Sequence, residues 1–142
     1  MGIDYGEARI GVALSDPEGK IAFPRETVEN RGNPGVFAYL KALAKKEKVG
    51  EIIVGLPLGM RRQDTEESRR VRTFARRLHT ATGLAVEFEN EMFTTRMAEE
   101  AGGRRELRDA SAAAIILQSY LDKVNQESGS QERCHPFVTP DP

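Results

Sequence analysis

Short apolar runs separated by turn residues occupy the chain up to Val28, and helical stripes alternate with short runs beyond it. The first run, Met1 to Tyr5, reads as a very short strand. Tyr5-Gly6-Glu7-Ala8 reads as a turn in which Gly6 takes positive φ. Arg9 to Ser15 is a second strand, with Ile10, Val12, Ala13 and Leu14 as its apolar residues. Asp16-Pro17-Glu18-Gly19 has Pro preset at the second position of a β-turn and Gly at the fourth. Ile21 to Val28 is a third strand, so the opening is an antiparallel meander. Pro34 suits a helix start, and Val36, Phe37, Leu40, Leu43 and Ala44 recur at helical spacing. Lys45, Lys46 and Lys48 suit the C-terminal end of that helix, and Gly50 closes it. The strand from Glu51 to Gly55 holds Ile52-Ile53-Val54, β-branched and without alternation, as in a strand covered on both faces.

Leu56 to Gln63 is a loop, after which Asp64 and Glu67 fit a capping box. The helix they open runs to about Thr82, with Val71, Phe74, Ala75 and Leu78 inward and Gly83 as its stop. Ala85 to Glu89 alternates like a strand. Thr94 to Ala101 predicts a short helix, stopped by Gly102-Gly103. A last helix opens at or near Asp109 and buries Ala110, Ala113, Ala114, Leu117 and Leu121. Beyond Asn125 the chain turns polar and then Pro-rich, which divides it into a domain over 1–125 and a mobile tail over 126–142. A meander followed by strand–helix alternation predicts an α/β fold: a mixed sheet with helices on its faces and right-handed crossovers.

A length of 142 residues fits one domain. Lys plus Arg total 21 and Asp plus Glu 22, so no overall basic surplus points to nucleic acid. The charges are segregated, however. Over 61–77, seven arginines face Asp64, Glu66 and Glu67; over 87–100, five glutamates face Arg96. An acidic metal site beside a basic approach surface averages to almost nothing. A single cysteine, Cys134, excludes an internal disulfide framework and a zinc site built on several thiolates. No apolar stretch approaches the roughly 18 residues of a membrane span. The N-terminus lacks the basic and apolar regions of a signal peptide, so a cytoplasmic location without a membrane partner is expected. His79 and His135 lack metal-ligand spacing. With no Trp, and Phe residues that mostly fit the core, no aromatic platform for unpaired bases is visible.

Three acids stand at telling places. Asp4 lies on or just past the first strand, where a carboxylate is costly to bury without a partner or a cation. Glu91 follows the last strand, at the sheet end where open α/β folds bind ligands. Asp109 stands at the start of the last helix, where position alone favours an N-cap, just as it favours a solvated loop acid for Glu91. If the first and last strands share the central sheet, the three converge. Clustered hard oxygen donors suit Mg²⁺ or Mn²⁺, as one ion or two, and two ions about 4 Å apart activate water for phosphodiester cleavage. Arg9 can reach a phosphate near Asp4 or pair with a sheet-end acid. Arg61 and Arg62 are the basic residues nearest the site, with a solvated helix face as the alternative reading of the stretch they begin. Thr94 and Thr95 can bind phosphate or cap the short helix.

Gly2-Ile3-Asp4-Tyr5-Gly6, Arg9-Ile10-Gly11-Val12-Ala13 and Ser15-Asp16 resemble the opening of the YqgF-type "putative pre-16S rRNA nucleases", also called Holliday-junction-resolvase-like proteins. The resemblance continues through Ile53-Val54-Gly55-Leu56-Pro57-Leu58 and returns at Glu91, Thr94-Thr95 and Ala98-Glu99. It closes with Asp109-Ala110, Ala112-Ala113, Ile116-Leu117-Gln118 and Tyr120-Leu121, and so covers about 1–122. It implies a ribonuclease-H-like fold, with a five-stranded mixed sheet in the order 3-2-1-4-5 and helices on both faces. It implies Asp4, Glu91 and Asp109 as catalytic, metal-binding acids of a nuclease that matures the 5′ end of small-subunit ribosomal RNA. Structured precursor RNA is then the expected partner. The alternatives are resolution of branched DNA, which calls for a homodimer, and a non-catalytic RNA-binding role in ribosome assembly. An actin- or sugar-kinase-like module also opens with Asp-x-Gly but needs a second domain. The chain departs from the family pattern at Asn90-Glu91-Met92, where Asp-Glu-Arg is usual, and at Met60-Arg61-Arg62-Gln63, where Asp-Gly is usual. Three residues precede Asp4, fewer than is common in the family, so either a clipped first strand or a misassigned start is expected.

Overall fold

The computed structural model describes residues 1–30, 34–57, 65–90 and 105–130, with the side chains of the last helix described from Asp109 to Gln126. The elements are β1 (Gly2–Tyr5), β2 (Arg9–Ser15), β3 (Ala22–Glu29), α1 (Pro34–Lys46), β4 (Glu51–Leu56), α2 (Glu66–Thr82), β5 (Ala85–Asn90) and α3 (Arg105–Ser130). They build a five-stranded sheet in the order β3-β2-β1-β4-β5. β1, β2 and β3 form the antiparallel meander, while β4 and β5 run parallel to β1. The parallel pairs are those joined through helices, as a crossover requires.

Strand alternation sorts the residues between two layers. Ile3, Ile10, Val12, Ile52, Val54 and Val86 pack with Val36, Leu40 and Leu43 of α1 and Val71, Phe74 and Leu78 of α2. Ala13 and Ile53, on the opposite sheet face, pack with Ala113, Ile116 and Leu117 of α3. The run Ile52-Ile53-Val54 is thus buried on both faces, as its lack of alternation predicted.

The turns follow local chemistry, with three corrections. Gly19 N–H donates to the Asp16 carbonyl at 3.0 Å, closing the expected turn. The Asp16 carboxylate also accepts from the N–H groups of Lys20 and Ile21, which hold its pKa below the usual value. Gly6 does not take positive φ. It is needed because a Cβ there would lie 2.6 Å from the Arg9 carbonyl oxygen. Helix α2 is capped by Thr65 with Ser68, not by Asp64 with Glu67. Ser68 N–H donates to Thr65 Oγ1 at 3.0 Å, and Thr65 N–H donates to Ser68 Oγ at 2.8 Å. Helix α3 begins at Arg105, a turn earlier than Asp109, and continues to Ser130. The boundary expected at 125 therefore falls inside this helix. The helix expected over 94–101, and residues 131–142, lie outside the described residues.

Candidate active site

At two strand positions the last helix lies against the sheet with no strand side chain between them. A Cβ on Gly11 would sit 1.9 Å from the backbone carbonyl oxygen of Asp109. A Cβ on Gly2 would sit 2.7 Å from Leu117 Cβ and 2.8 Å from the Ala113 carbonyl oxygen. Only glycine allows either approach. These two glycines also fix the face on which Asp4 stands. Asp4 is two residues beyond Gly2 and pairs directly with Gly11 across the β1–β2 ladder. Side chains at such positions share one face. Asp4 therefore points to the α3 side, at the C-terminal end of β1, and is half-buried there.

Asp109 is not an N-cap. It lies in the second turn of α3, with its backbone against Gly11. Its Oδ2 accepts from Arg9 Nε at 2.7 Å, with the two side chains 27 % and 34 % exposed. The ion pair remains in contact with water, so it contributes little to stability. It places a guanidinium on one oxygen of Asp109. Arg9 thus pairs with a sheet-end acid, and its partial exposure leaves N–H groups able to meet a phosphate.

A third acid belongs to this face. The Gly2–Ile53 pairing of β1 with β4, carried two residues on, sets Asp4 beside Gly55, which pairs with Glu89 of β5. Glu89 is 6 % exposed. It accepts from Ser119 Oγ at 2.6 Å and from Lys123 Nζ at 2.7 Å, both on α3. Burying a carboxylate demands such partners. Glu89 was not singled out as a site residue from the sequence. The signal was the period-two run Glu87, Glu89, Glu91, which places acids on one face of a strand.

Glu91 directly follows the last residue of β5, but it, Thr94, Thr95, Arg61 and Arg62 lie outside the described residues. Among the described residues no group of three His, Cys, Asp or Glu side chains is arranged to hold a metal ion. Asp4 and Asp109 are brought to one face, with Arg9 on Asp109; the other five predicted site residues are those outside the described residues. His79 serves structure, its Nδ1–H donating to the Leu84 carbonyl at 2.8 Å beyond the end of α2.

A five-stranded mixed sheet in the order 3-2-1-4-5, with helices on both faces, defines the ribonuclease-H-like class. The structure is similar to Thermus thermophilus RuvC in complex with a Holliday junction substrate (TM-score 0.56, 16 % identity), over 87 % of this chain and 94 % of that one. The model of the family described as "RuvX: Holliday junction resolvase" matches residues 1–123, and the chain belongs to that family of nucleases. A relative from Moorella thermoacetica, named "Putative pre-16S rRNA nuclease", is 41 % identical over 134 residues, covering 89 % of this chain and 96 % of the relative. One of the same name from Maridesulfovibrio salexigens is 36 % identical over 132 residues, covering 87 % and 98 %. No described helix is long and apolar enough to cross a membrane.

Proposed function

We propose that the protein is a divalent-metal-dependent nuclease that hydrolyses phosphodiester bonds in structured RNA, and that its reaction matures the 5′ end of precursor small-subunit ribosomal RNA. The observation that carries the site is the contact at Gly11. It seats the Asp109 backbone on the residue paired with Asp4, so two carboxylates from distant parts of the chain share one sheet end. Hard oxygen donors of this kind fit Mg²⁺ or Mn²⁺. Asp4 and Asp109 hold the ion, together with Glu91 from the residue after β5. When bound, it supplies activated water and charge stabilisation at the phosphate. Arg9 orients Asp109 and offers its remaining N–H groups to a phosphate oxygen. Arg61, Arg62, Thr94 and Thr95 complete the substrate contacts in this reading. The named relatives support RNA as the substrate.

The test is purified protein with Mn²⁺ on ribosomal precursor RNA and on a four-way DNA junction, beside Asp109→Asn. Cleavage of the RNA by the wild-type protein, lost in the variant, is the expected result. The family description favours a second reading, resolution of branched DNA. That reading requires junction cleavage in paired cuts and a symmetric dimer in solution. RNA binding without cleavage across divalent metals would support the non-catalytic role instead.

A further inference from the structure

The described part of the basic stretch, Arg69 to Arg77, does not lie on the acid face. Helix α2 carries five arginines against Glu66 and Glu67, and α1 carries three lysines and no acid. Both helices cover the sheet face opposite α3. Between them, at the same sheet end as Asp4, opens a groove of about 410 Å³, within the roughly 300–1,000 Å³ of small-ligand sites. Tyr5 lines it, and Tyr5 follows Asp4 directly in β1. A smaller hollow of about 260 Å³ shares Tyr5 and Arg70 with the groove and reaches Gly6 and Glu7 of the next turn. The two together form a path from the groove to the hairpin beside Asp4.

The groove has a charged wall and an aromatic floor, of which Tyr5 and Phe37 are the partly exposed rings and Phe74 the buried one. Tyr5, Phe37 and Phe74 form a ring cluster, with centroids 4.5 Å apart for Tyr5–Phe74 and 5.5 Å apart for Phe37–Phe74. The guanidinium of Arg77 lies over Phe37 at 4.7 Å. Arg70 is neutralised by Glu7 and Glu66. Arg69 and Arg77 are exposed and make no ion pair with another described residue. The N-terminal turns of α1 and α2 both border the groove, adding their partial positive charge. Guanidinium groups beside aromatic rings suit an unpaired nucleic-acid strand, which offers phosphates to the former and base or ribose faces to the latter. A duplex keeps its bases stacked inside and cannot use the floor.

We propose that the α1–α2 groove holds an unpaired stretch of the RNA substrate, adjoining the scissile site, with its phosphates on Arg69 and Arg77. The identity of the ligand rests on the nuclease reading; the groove's affinity for a strand does not. The test measures binding in EDTA, by fluorescence anisotropy, of a labelled single-stranded RNA and of the same sequence as a duplex. Arg69→Ala/Arg77→Ala is expected to weaken single-strand binding about tenfold and to lower the salt slope by about 1.4, the value for two lost phosphate contacts. Duplex binding is expected to change less. Lys41→Ala/Lys45→Ala, farther along α1, is expected to leave single-strand binding unchanged. Arg69→Gln/Arg77→Gln repeats the test with the side-chain stems largely kept, and unchanged thermal melts show that both variants fold. Unchanged single-strand affinity, an equal loss in the lysine variant, or displacement of RNA by polyglutamate at equal charge would overturn the proposal. If the wild-type protein cuts no RNA with Mn²⁺ yet the arginine variant loses binding, the nuclease reading fails and the groove stands. If cleavage holds and binding is unmoved, the groove fails alone.

Discussion

The two faces of the sheet solve the same packing problem in opposite ways. Under α1 and α2 the interface is filled by large aliphatic side chains, with Leu40, Ile52 and Leu78 almost fully buried. Under α3 the strands withdraw to Gly2, Gly11 and Ala13, and the helix answers with Ala110 and Ala113. Removing bulk weakens a face of the first kind, and adding bulk breaks one of the second. The difference has a functional sense. A helix backbone laid on Gly11 seats Asp109 on β2 at the residue paired with Asp4, and at that approach two acids share one sheet end. The wide face keeps its helices farther out and presents arginine and lysine to solvent.

The comparison breaks most sharply at Gly11. Gly11→Ala places a methyl carbon 1.9 Å from a backbone oxygen that cannot rotate away. The expected cost is about 3 kcal/mol or more, read as a lowered denaturation midpoint. A melt unchanged from wild type would show that α3 does not rest on this strand. On the other face the same size of effect comes from deletion. Leu78→Ala should cost about 2–5 kcal/mol through the cavity it leaves between α2 and the sheet. Ala75→Gly, which removes only a methyl from the same buried face, should cost about 2 kcal/mol, helix propensity plus the lost burial.

Smaller effects sharpen the picture. Lys123→Ala removes one of two donors to the buried Glu89 carboxylate, and Ser119 remains. A loss of about 1–2 kcal/mol is expected, discounted because the Lys123 side chain is 62 % exposed. Urea titration of the variant at neutral pH measures it. The smallest effect belongs to the turn beyond β2. The folded pKa of Asp16 is lowered by the N–H groups of Ile21 and Lys20. Its contribution is therefore present above the ordinary Asp pKa of about 3.9 and fades as pH falls through the lowered folded value. Asp16→Ala should melt slightly below wild type at neutral pH, and the gap should close in acid. A gap that widens in acid would contradict the assignment.

Much of this architecture is legible along the chain, and the gaps have physical causes. The meander follows from turn chemistry at Asp16-Pro17-Glu18-Gly19, and both wide-face helices follow from their apolar stripes. The cap of α2 was misjudged because Asp64–Glu67 and Thr65–Ser68 both fit a capping pattern one residue apart. Local sequence does not decide between them; the burial of Ser68 does. The start of α3 was set too late because Arg105-Glu106-Leu107-Arg108 holds good helix formers but no apolar stripe. With that turn added, Asp109 moves from a capping position to one that meets Arg9, a partner 100 residues away. The site itself was half legible. A carboxylate on a short central strand is conspicuous, and Asp4 is where that reading placed it. The role of Gly11 was not, because a glycine in a strand shows its reason only in what approaches it. Glu89 was passed over for a related reason: its partners lie 30 and 34 residues away on another element. The aromatic floor of the α1–α2 groove was missed because Phe74 is a core residue, and only the fold sets Tyr5 and Phe37 beside it.

The central claim is that the glycine-lined face carries the hydrolytic site, with Asp4 as an essential metal-binding acid. Asp4→Asn keeps the shape of the side chain and removes its charge. The direct measurement is cleavage of ribosomal precursor RNA by this variant with Mn²⁺, paired with its thermal melt with and without the metal. The account predicts a folded protein whose cleavage is abolished and whose melt no longer rises with Mn²⁺ as the wild type does. Cleavage at the wild-type rate by a folded Asp4→Asn protein would contradict it.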